Sequence, residues 1–529
     1  MSWLLETILD RPLVRRLVNT GIAHYARRRV DWLDRHSAET LQQHVLTRLI
    51  RKARDTRFGR DHDFARIRSL DDYQRRVPLR DYESFWSQYW AADFPYLQGA
   101  TWPGSIPYSA LSSGTTSGTT KYIPISREML ASNQRAAMTA LSLFMAARPG
   151  VPLFNGRLFF LGGSTDLVDL TAANPEKRPP VPGQRVLAGD LSGIASCEAS
   201  AVLRPFAFPP TELALMSDWD RKLDLLASRA AHLKITMLSG VPSWILALFD
   251  RVKKVTGKDR ITDIWPELRL VIHGGTRFDP YRALFKRELG DEVFLLDTYP
   301  ASEGYVASED PRYGLLRLLP DHDVFFEFVP VSELTSERPA RHTVGQVEPG
   351  VQYAIAMTTC AGLWSYIPGD TICFERRDPP LLRFTGRTRY FLSAFGEHLI
   401  SEEVERAIAA AAEDCGSAVV DFHVGPVFPE SPSAPGRHRF FVEFSGSAPD
   451  PQSFAASVDR SLCTLNEDYR AHRLGDIALL APEVQPVRCG GFADWMRSQG
   501  KLGGQHKVPR MDNTGQVTRQ MTEFFTRTL

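Results

Sequence analysis

The chain is poor in cysteine. Its six cysteines, Cys197, Cys360, Cys373, Cys415, Cys463 and Cys489, are scattered through 529 residues without a CxxC pair. That excludes a dense disulfide framework and a zinc ribbon, and predicts reduced thiols in a cytoplasmic protein. Long hydrophobic runs are also missing. Asp10 and Arg11 interrupt the N-terminal apolar stretch too early for a secretory core or a spanning helix, so neither export nor stable membrane insertion is expected. Nor is there an excess of one charge: 63 Lys and Arg stand against 62 Asp and Glu, a net charge of +1. Without a global positive field, nucleic-acid binding is not expected. His322 and His398 have no partner at metal-ligand spacing, and no GxSxG elbow points to hydrolysis.

What is present describes an ordinary globular protein of two or three structural units, 43% hydrophobic and 24% charged. Residues 1 to about 80 have almost no Pro or Gly before Arg57-Phe58-Gly59 and read as a helical lead-in. Its first sixty residues carry thirteen Lys and Arg against six Asp and Glu, and Trp3, Leu4, Ile8 and Leu9 can form one apolar stripe. A helix packed on its own domain with a solvated basic face is the main expectation; weak contact with an anionic membrane surface is the second.

From about 105 to 385, apolar β-rich runs alternate with helical patterns. The runs are Leu158 to Leu161, Leu268 to Ile272 and Val293 to Leu296, and Trp244 to Lys254 is a helical stretch. This predicts an α/β domain with mixed or parallel sheets, 1–385, interrupted by a Pro-rich loop from Asn174 to Gln184. After a hinge at 386–392, a small mobile α+β domain is expected over 393–529. Its helices are read at Ser401 to Ala412 and Pro451 to Asn466, and its strands near Ala418 to Val427, Arg439 to Phe444 and Ile477 to Val487.

Three segments carry chemistry. The run from Ser112-Ser113-Gly114-Thr115-Thr116 to Lys121, leading to a helix from Ser126, combines small residues, hydroxyl donors and one cation, as a loop wrapping phosphate requires. Thr298-Tyr299-Pro300-Ala301-Ser302-Glu303, read as a loop after the Val293 to Leu296 strand, offers an aromatic for a base and a carboxylate for Mg²⁺. A core aromatic and a solvated acid explain the same residues equally well. Tyr366-Ile367-Pro368-Gly369-Asp370 presents a carboxylate at a tight turn, either as a local cap or as an acceptor for two ribose hydroxyls. Beside these, Gly274-Gly275 follows a buried strand and is either a plain turn or a surface against which adenine slides. Val241 and Trp244 line either an acyl pocket or generic core.

In this order, with Gly386-Arg387 and a late lysine, the segments resemble the adenylate-forming enzymes, and more narrowly the GH3 family of acyl acid–amido synthetases. Thr56-Arg57-Phe58-Gly59-Arg60, Val77-Pro78-Leu79-Arg80-Asp81-Tyr82, Leu238 to Pro242, Leu465 to Arg473 and Gly504 to Arg510 are similar to further blocks of that family, although His506 stands where an aromatic is usual. The resemblance implies an adenylate-forming N-terminal domain using ATP and Mg²⁺. Ser112 to Thr116 and Lys121 would hold phosphates, Tyr299 and the Thr298 to Ser302 backbone would bracket adenine with Gly275 nearby, and Asp370 would hold ribose. Glu303 would carry Mg²⁺, Arg387 would lie near the hinge, and Lys507 would swing in to act on the attacking carboxylate. The implied partners are a carboxylic acid and an amine, an amino acid above all. An acid–thiol ligase sharing the first half-reaction is the alternative enzyme, and a catalytically silent nucleotide-binding protein is the alternative of another class.

Overall fold

The computed structural model describes residues 11–527 apart from 114–119, 163–166, 174–183, 199–202, 276, 277, 279, 280, 335, 388–390, 393, 396, 398, 429–435, 467, 468, 471, 472, 474–478 and 501–507. The apolar stripe of Trp3, Leu4, Ile8 and Leu9 and nearly all of the Pro-rich loop lie outside the described residues. Contacts divide the chain into two compact units: Met1–Thr276 with Asp291–Phe384, and Arg277–Gly290 with Thr385–Leu529.

The lead-in consists of α1 (Pro12–Arg35), α2 (Ala38–Ala53), α3 (Arg57–Asp61) and α4 (Leu70–Arg76). Hydroxyls start three of them, because Ser37, Thr56 and Ser69 accept the N–H of Thr40, Gly59 and Asp72. Gly59 is dictated by packing: a Cβ there would lie 2.2 Å from the carbonyl oxygen of Ala53.

The strands of the first unit are, in order, β1 (Tyr108–Ser113), β2 (Thr120–Ile125), β3 (Arg157–Phe160), β4 (Val168–Asp169), β5 (Leu187–Gly189), β6 (Ala207–Phe208), β7 (Ile235–Gly240) and β8 (Leu270–Gly274). They continue with β9 (Phe294–Ala301), β10 (Gly304–Asp310), β11 (Leu315–Leu318), β12 (Val324–Pro330), β13 (Gln352–Thr359), β14 (Asp370–Arg376) and β15 (Leu381–Arg387), whose residues from Thr385 onward belong to the second unit. Among the described residues they form a small sheet, β2-β1-β5-β4, and a large one, β12-β13-β14-β15-β11-β10-β9-β8-β7-β3-β6.

The large sheet has two halves. From β6 through β3, β7 and β8 to β9 neighbours are parallel. From β9 through β10 and β11 to β15, and from β14 through β13 to β12, they are antiparallel. Helix α5 (Arg127–Ala147) covers the parallel half by setting Leu141, Phe144 and Met145 against Leu158, Met237, Leu270 and Leu296. Two further helices, α6 (Trp219–Ala230) and α7 (Pro242–Thr256), pack together in this unit. Helix α2 covers β12: the Gln42 amide donates to the carbonyls of Pro320 and Val324 and accepts the Phe326 N–H.

The second unit contains α8 (Arg282–Leu289), the pair β16 (Phe391–Leu392) and β17 (Leu399–Ile400), and α9 (Ser401–Asp414). There follow β18 (Val419–Val427), β19 (Arg437–Phe444), α10 (Pro451–Leu465), β20 (Glu483–Val487) and, after a shorter helix, α11 (Gln516–Arg527). Its core sets Val404, Ile408, Val458 and Leu462 from the helices against Phe422 and Phe440 of the sheet.

Candidate active site

The reading of residues 297–303 as a loop needs correction. The strand does not stop at Leu296: β9 runs on through Asp297, Thr298, Tyr299 and Pro300 to Ala301, leaving Ser302-Glu303 as a two-residue turn into β10. The reason is pairing on both sides. Gly274 of β8 stands beside Thr298, Ala307 of β10 beside Tyr299, and Gly304 beside Ala301. A β-branched and an aromatic residue favour extended backbone, and an antiparallel partner needs only a hairpin connection. The Thr298 hydroxyl donates to the His273 carbonyl at 2.8 Å. A Cβ on Gly274 would lie 2.5 Å from the Thr298 carbonyl oxygen, and Gly275 has φ +77°, so the chain's own path demands both glycines. Tyr299, 9% exposed, and Glu303, 8% exposed, are held close to the fold at this end of β9.

Asp370 arrives from another direction. Tyr366 pairs with Met357 of β13 through hydrogen bonds of 2.8 and 2.9 Å, Gly369 turns at φ +94°, and Asp370, 4% exposed, opens β14. The Tyr299 hydroxyl donates to Asp370 Oδ2 at 2.7 Å, and the Tyr299 ring meets Phe384 edge-on at 5.3 Å. Two motifs far apart in sequence therefore meet through one hydrogen bond.

Lys121 stands on the second strand of a hairpin. Its cross-strand partner in β1 is Ser112, and Ser113 faces Thr120. Gly114, Thr115 and Thr116 lie outside the described residues, as do the side chains of Ser112 and Ser113. The lysine ammonium sits 5.5 Å from the Tyr82 ring centroid, and the Tyr82 hydroxyl accepts the Tyr122 N–H at 2.9 Å. Burial pushes the Tyr82 phenol up to about 12, which keeps it neutral at physiological pH. Where the hairpin ends, Ser126 caps α5 by accepting the Met129 N–H and donates to the Cys360 carbonyl. Cys360 begins the connection that leads to Asp370. Arg80 fastens the same connection, its N–H donating to Ser365 and its carbonyl accepting from Ile367. The N-terminal signature around Arg80 and Tyr82 is thus the scaffold on which hairpin and turn are mounted.

Sequence reasoning missed the polar network beneath that turn. Arg341 grips Glu327 with two nitrogens at 2.8 and 2.9 Å and donates to Ser365 at 2.6 Å, while Ser365 itself donates to Glu327 at 2.8 Å. Tyr73 lies within 3.0 Å of Ser365 and 2.6 Å of Thr358; its burial pushes the phenol well above its usual range. The network holds Ser365 at φ +45°, unusual for a residue with a side chain. The available signal was one carboxylate inside the apolar run Val324 to Pro330.

The other expected site residues are dispersed. Val241 precedes α7 and Trp244 is half-buried against Trp219, with ring centroids 5.3 Å apart. Arg387 is exposed at the end of β15, in the second unit, after Gly386 at φ +140°. Lys507 lies outside the described residues. The chain just beyond it is firmly placed within the second unit: Arg510 is paired with Glu405 at 2.9 Å, donates to Tyr281 at 3.0 Å and lies 4.9 Å from the Phe422 ring centroid. Its carbonyl accepts the Val424 N–H. Among the described residues no group of three or more His, Cys, Asp or Glu could hold a metal ion, and no helix is long and apolar enough to cross a membrane.

This architecture is that of the adenylate-forming enzymes. The chain aligns with a GH3.15 acyl acid amido synthetase over 94% of its length and 95% of that protein, with TM-score 0.75 and 16% identity. It aligns with a 2-hydroxyisobutyryl-CoA ligase over 92% and 90%, with TM-score 0.56 and 14% identity. At such identities the likeness is one of fold.

The chain belongs to the GH3 family. Three consecutive domain models of that family match it: the N-terminal domain over 33–293, the central domain over 317–387 and the C-terminal domain over 402–516. Among its relatives, the probable indole-3-acetic acid-amido synthetase GH3.1 of Arabidopsis thaliana is 23% identical over 90% of each chain. The indole-3-acetic acid-amido synthetase GH3.3 of the same plant is 25% identical over 59% of this chain and 56% of its own. The jasmonoyl–L-amino acid synthetase GH3.5 of Oryza sativa subsp. japonica is 27% identical over 48% and 47%. The last two alignments thus span about half of the relative's length.

Proposed function

We propose that this protein is an ATP-dependent acyl acid–amido synthetase. It joins a carboxylic acid to ATP, giving acyl-AMP and pyrophosphate, and then passes the acyl group to an amine, an amino acid by family analogy. The observation that carries this reading is the Tyr299 to Asp370 hydrogen bond, which unites two family motifs at the end of a central strand. Ligands of α/β sheets gather at the carboxyl ends of strands.

In this reading Asp370 binds the ribose hydroxyls, and Tyr299 aims its carboxylate while flanking adenine with Thr298, Ser302 and Gly275. Ser112, Ser113, Gly114, Thr115, Thr116 and Lys121 receive the phosphates. Arg387 belongs to the hinge, and Lys507 steadies the attacking carboxylate. Two anions must meet for the first step, so a positioned cation lowers a barrier made of repulsion and orientation. Val241 and Trp244 are assigned to the acyl side. Glu303 fits Mg²⁺, since that ion commonly takes one or two carboxylates and completes its shell with substrate phosphates and water. When bound, Mg²⁺ neutralises triphosphate charge.

Acid-dependent ATP–pyrophosphate exchange tests the proposal. Exchange is expected in the wild type and lost in Lys507→Ala. Amide product with an amino acid, and none with coenzyme A, is the expected second half. Thioester in place of amide would overturn the assignment of the acceptor, and absence of exchange with every carboxylic acid tried would overturn the enzyme itself.

A further inference from the structure

The first unit holds a concave site. A cavity of about 870 Å³ opens between α1, the end of α5 and the segments that enter β3 and β7, within the size range of small-molecule sites. Strands β3, β7, β8 and β9 are parallel. Arg157 begins β3 and Lys234 immediately precedes β7, so the cavity lies at the amino ends of these strands. Ser302 and Glu303 follow the carboxyl end of β9. The cavity is therefore separate from the candidate active site.

Its lining has one sign of charge. Arg15, Arg16, Arg27, Arg148, Arg157 and Lys234 all contribute, and no Asp or Glu lines it among the described residues. Some arginines elsewhere lie against carboxylates, as Arg251 does with Asp220 and Asp224, or Arg497 with Asp494. Among the cations here, Arg157 donates to the Pro205 carbonyl and Arg148 lies 5.3 Å from the Phe294 ring centroid. Lys234 has Glu267 at 2.7 Å. Met145, Val151 and Leu233 add apolar wall. On α1, Pro12, Arg15, Arg16, Ala23 and Arg27 recur at helical spacing, so one face of the helix is turned to the cavity. The first turn of α1 carries no acidic residue, and its positive dipole end adds to the field.

We propose that this cavity is a binding site for an anion bearing two or more phosphate groups, distinct from the nucleotide site. Guanidinium forks match phosphate oxygens in pairs, and several convergent guanidinium groups favour a multivalent anion over a monovalent one. The same chemistry is available from a free phosphorylated metabolite or from a phosphorylated lipid headgroup. Leu13 and Leu17, both exposed on α1, give the second source an apolar foothold.

The test is calorimetric titration of the full chain with inorganic tripolyphosphate, at low and at physiological salt. Wild type and Lys121→Ala are both expected to bind, the second because the disabled site is the other one. Arg16→Glu with Arg27→Glu is expected to weaken binding by more than about tenfold, and Arg16→Gln with Arg27→Gln by less. Both positions are exposed, and an unchanged melting temperature verifies the fold. Equal affinity in wild type and the charge-reversed variant overturns the proposal, as does binding lost in Lys121→Ala alone. Sedimentation with phosphatidylcholine vesicles, with and without phosphatidylinositol bisphosphate, separates the sources. Pelleting that needs the phosphorylated lipid and fails in Leu13→Asp with Leu17→Asp assigns a headgroup; tripolyphosphate binding without pelleting assigns a free metabolite.

Discussion

The parallel and antiparallel halves of the large sheet reach full burial by different routes. In the parallel half, crossover connections place helices on the faces, and the strands are buried in runs such as Ile235 to Leu238 and Leu270-Val271. Hairpin connections bring no such cover, yet β12 and β13 are buried nearly throughout. Their cover comes from the lead-in, through α2 and its Gln42. The antiparallel half also accepts paired buried charge: Glu327 with Arg341, and Asp310 with Arg317 and Arg312, which both reach Asp34 on α1. The lead-in is thus a structural layer of the antiparallel half, and β9, where the candidate active site forms, belongs to both halves.

The largest expected effect falls where that shared strand meets the start of β14. Asp370→Ala should lower kcat/KM for ATP in acid-dependent exchange by about a hundredfold or more, because each hydrogen bond to a charged group contributes about 1.5–3 kcal/mol. Tyr299→Phe should cost about tenfold, as expected for a group that aims the carboxylate. Equal losses in the two variants would show that Tyr299 itself grips the nucleotide.

A second prediction sets one half against the other. Glu327→Gln leaves Arg341 buried without its counter-charge and should cost about 3–5 kcal/mol in urea denaturation. Leu270→Ala in the parallel half should cost about 2–5 kcal/mol through the cavity it leaves. A near-neutral Glu327→Gln would break the view that the buried Arg341 depends on its counter-charge.

The smallest effect concerns pH. Burial lowers His322, between β11 and β12 beside Arg29 and Asp321, from 6.5 to about 4. Burial does the same to His423 of the second unit. Both are neutral in the folded state and take up a proton on unfolding below pH 6.5, so stability is full above that value and falls as the pH drops towards 4. His322→Gln should recover up to about 3 kcal/mol of that loss in denaturation at pH 4.5 to 5 while leaving pH 8 little changed. A pH profile identical to wild type would mean that His322 is already protonated in the fold.

Much of the fold is legible along the chain. The helices at Ser401–Asp414, Pro451–Leu465 and Pro242–Thr256 and the strands β3, β8, β18 and β19 fall within a few residues of their periodic patterns, because apolar spacing records directly which face is buried. Residues 297–301 were misread because Pro300 and small polar neighbours are turn formers locally, whereas strands on both sides hold them extended. Local propensity yields to tertiary pairing there.

The sequence by itself determined the chemistry on offer: a hydroxyl-rich run ending in Lys121, an aromatic beside an acid at Tyr299 and Glu303, and a carboxylate on a turn at Asp370. Only the tertiary structure decided which of these meet. Tyr299 touches Asp370, Ser365 rests on Glu327 and Arg341, and arginines from α1, Arg148 and Arg157 converge on one cavity. Such meetings join single side chains across tens or hundreds of residues, while a periodic pattern carries information only about neighbours a turn or a pleat away.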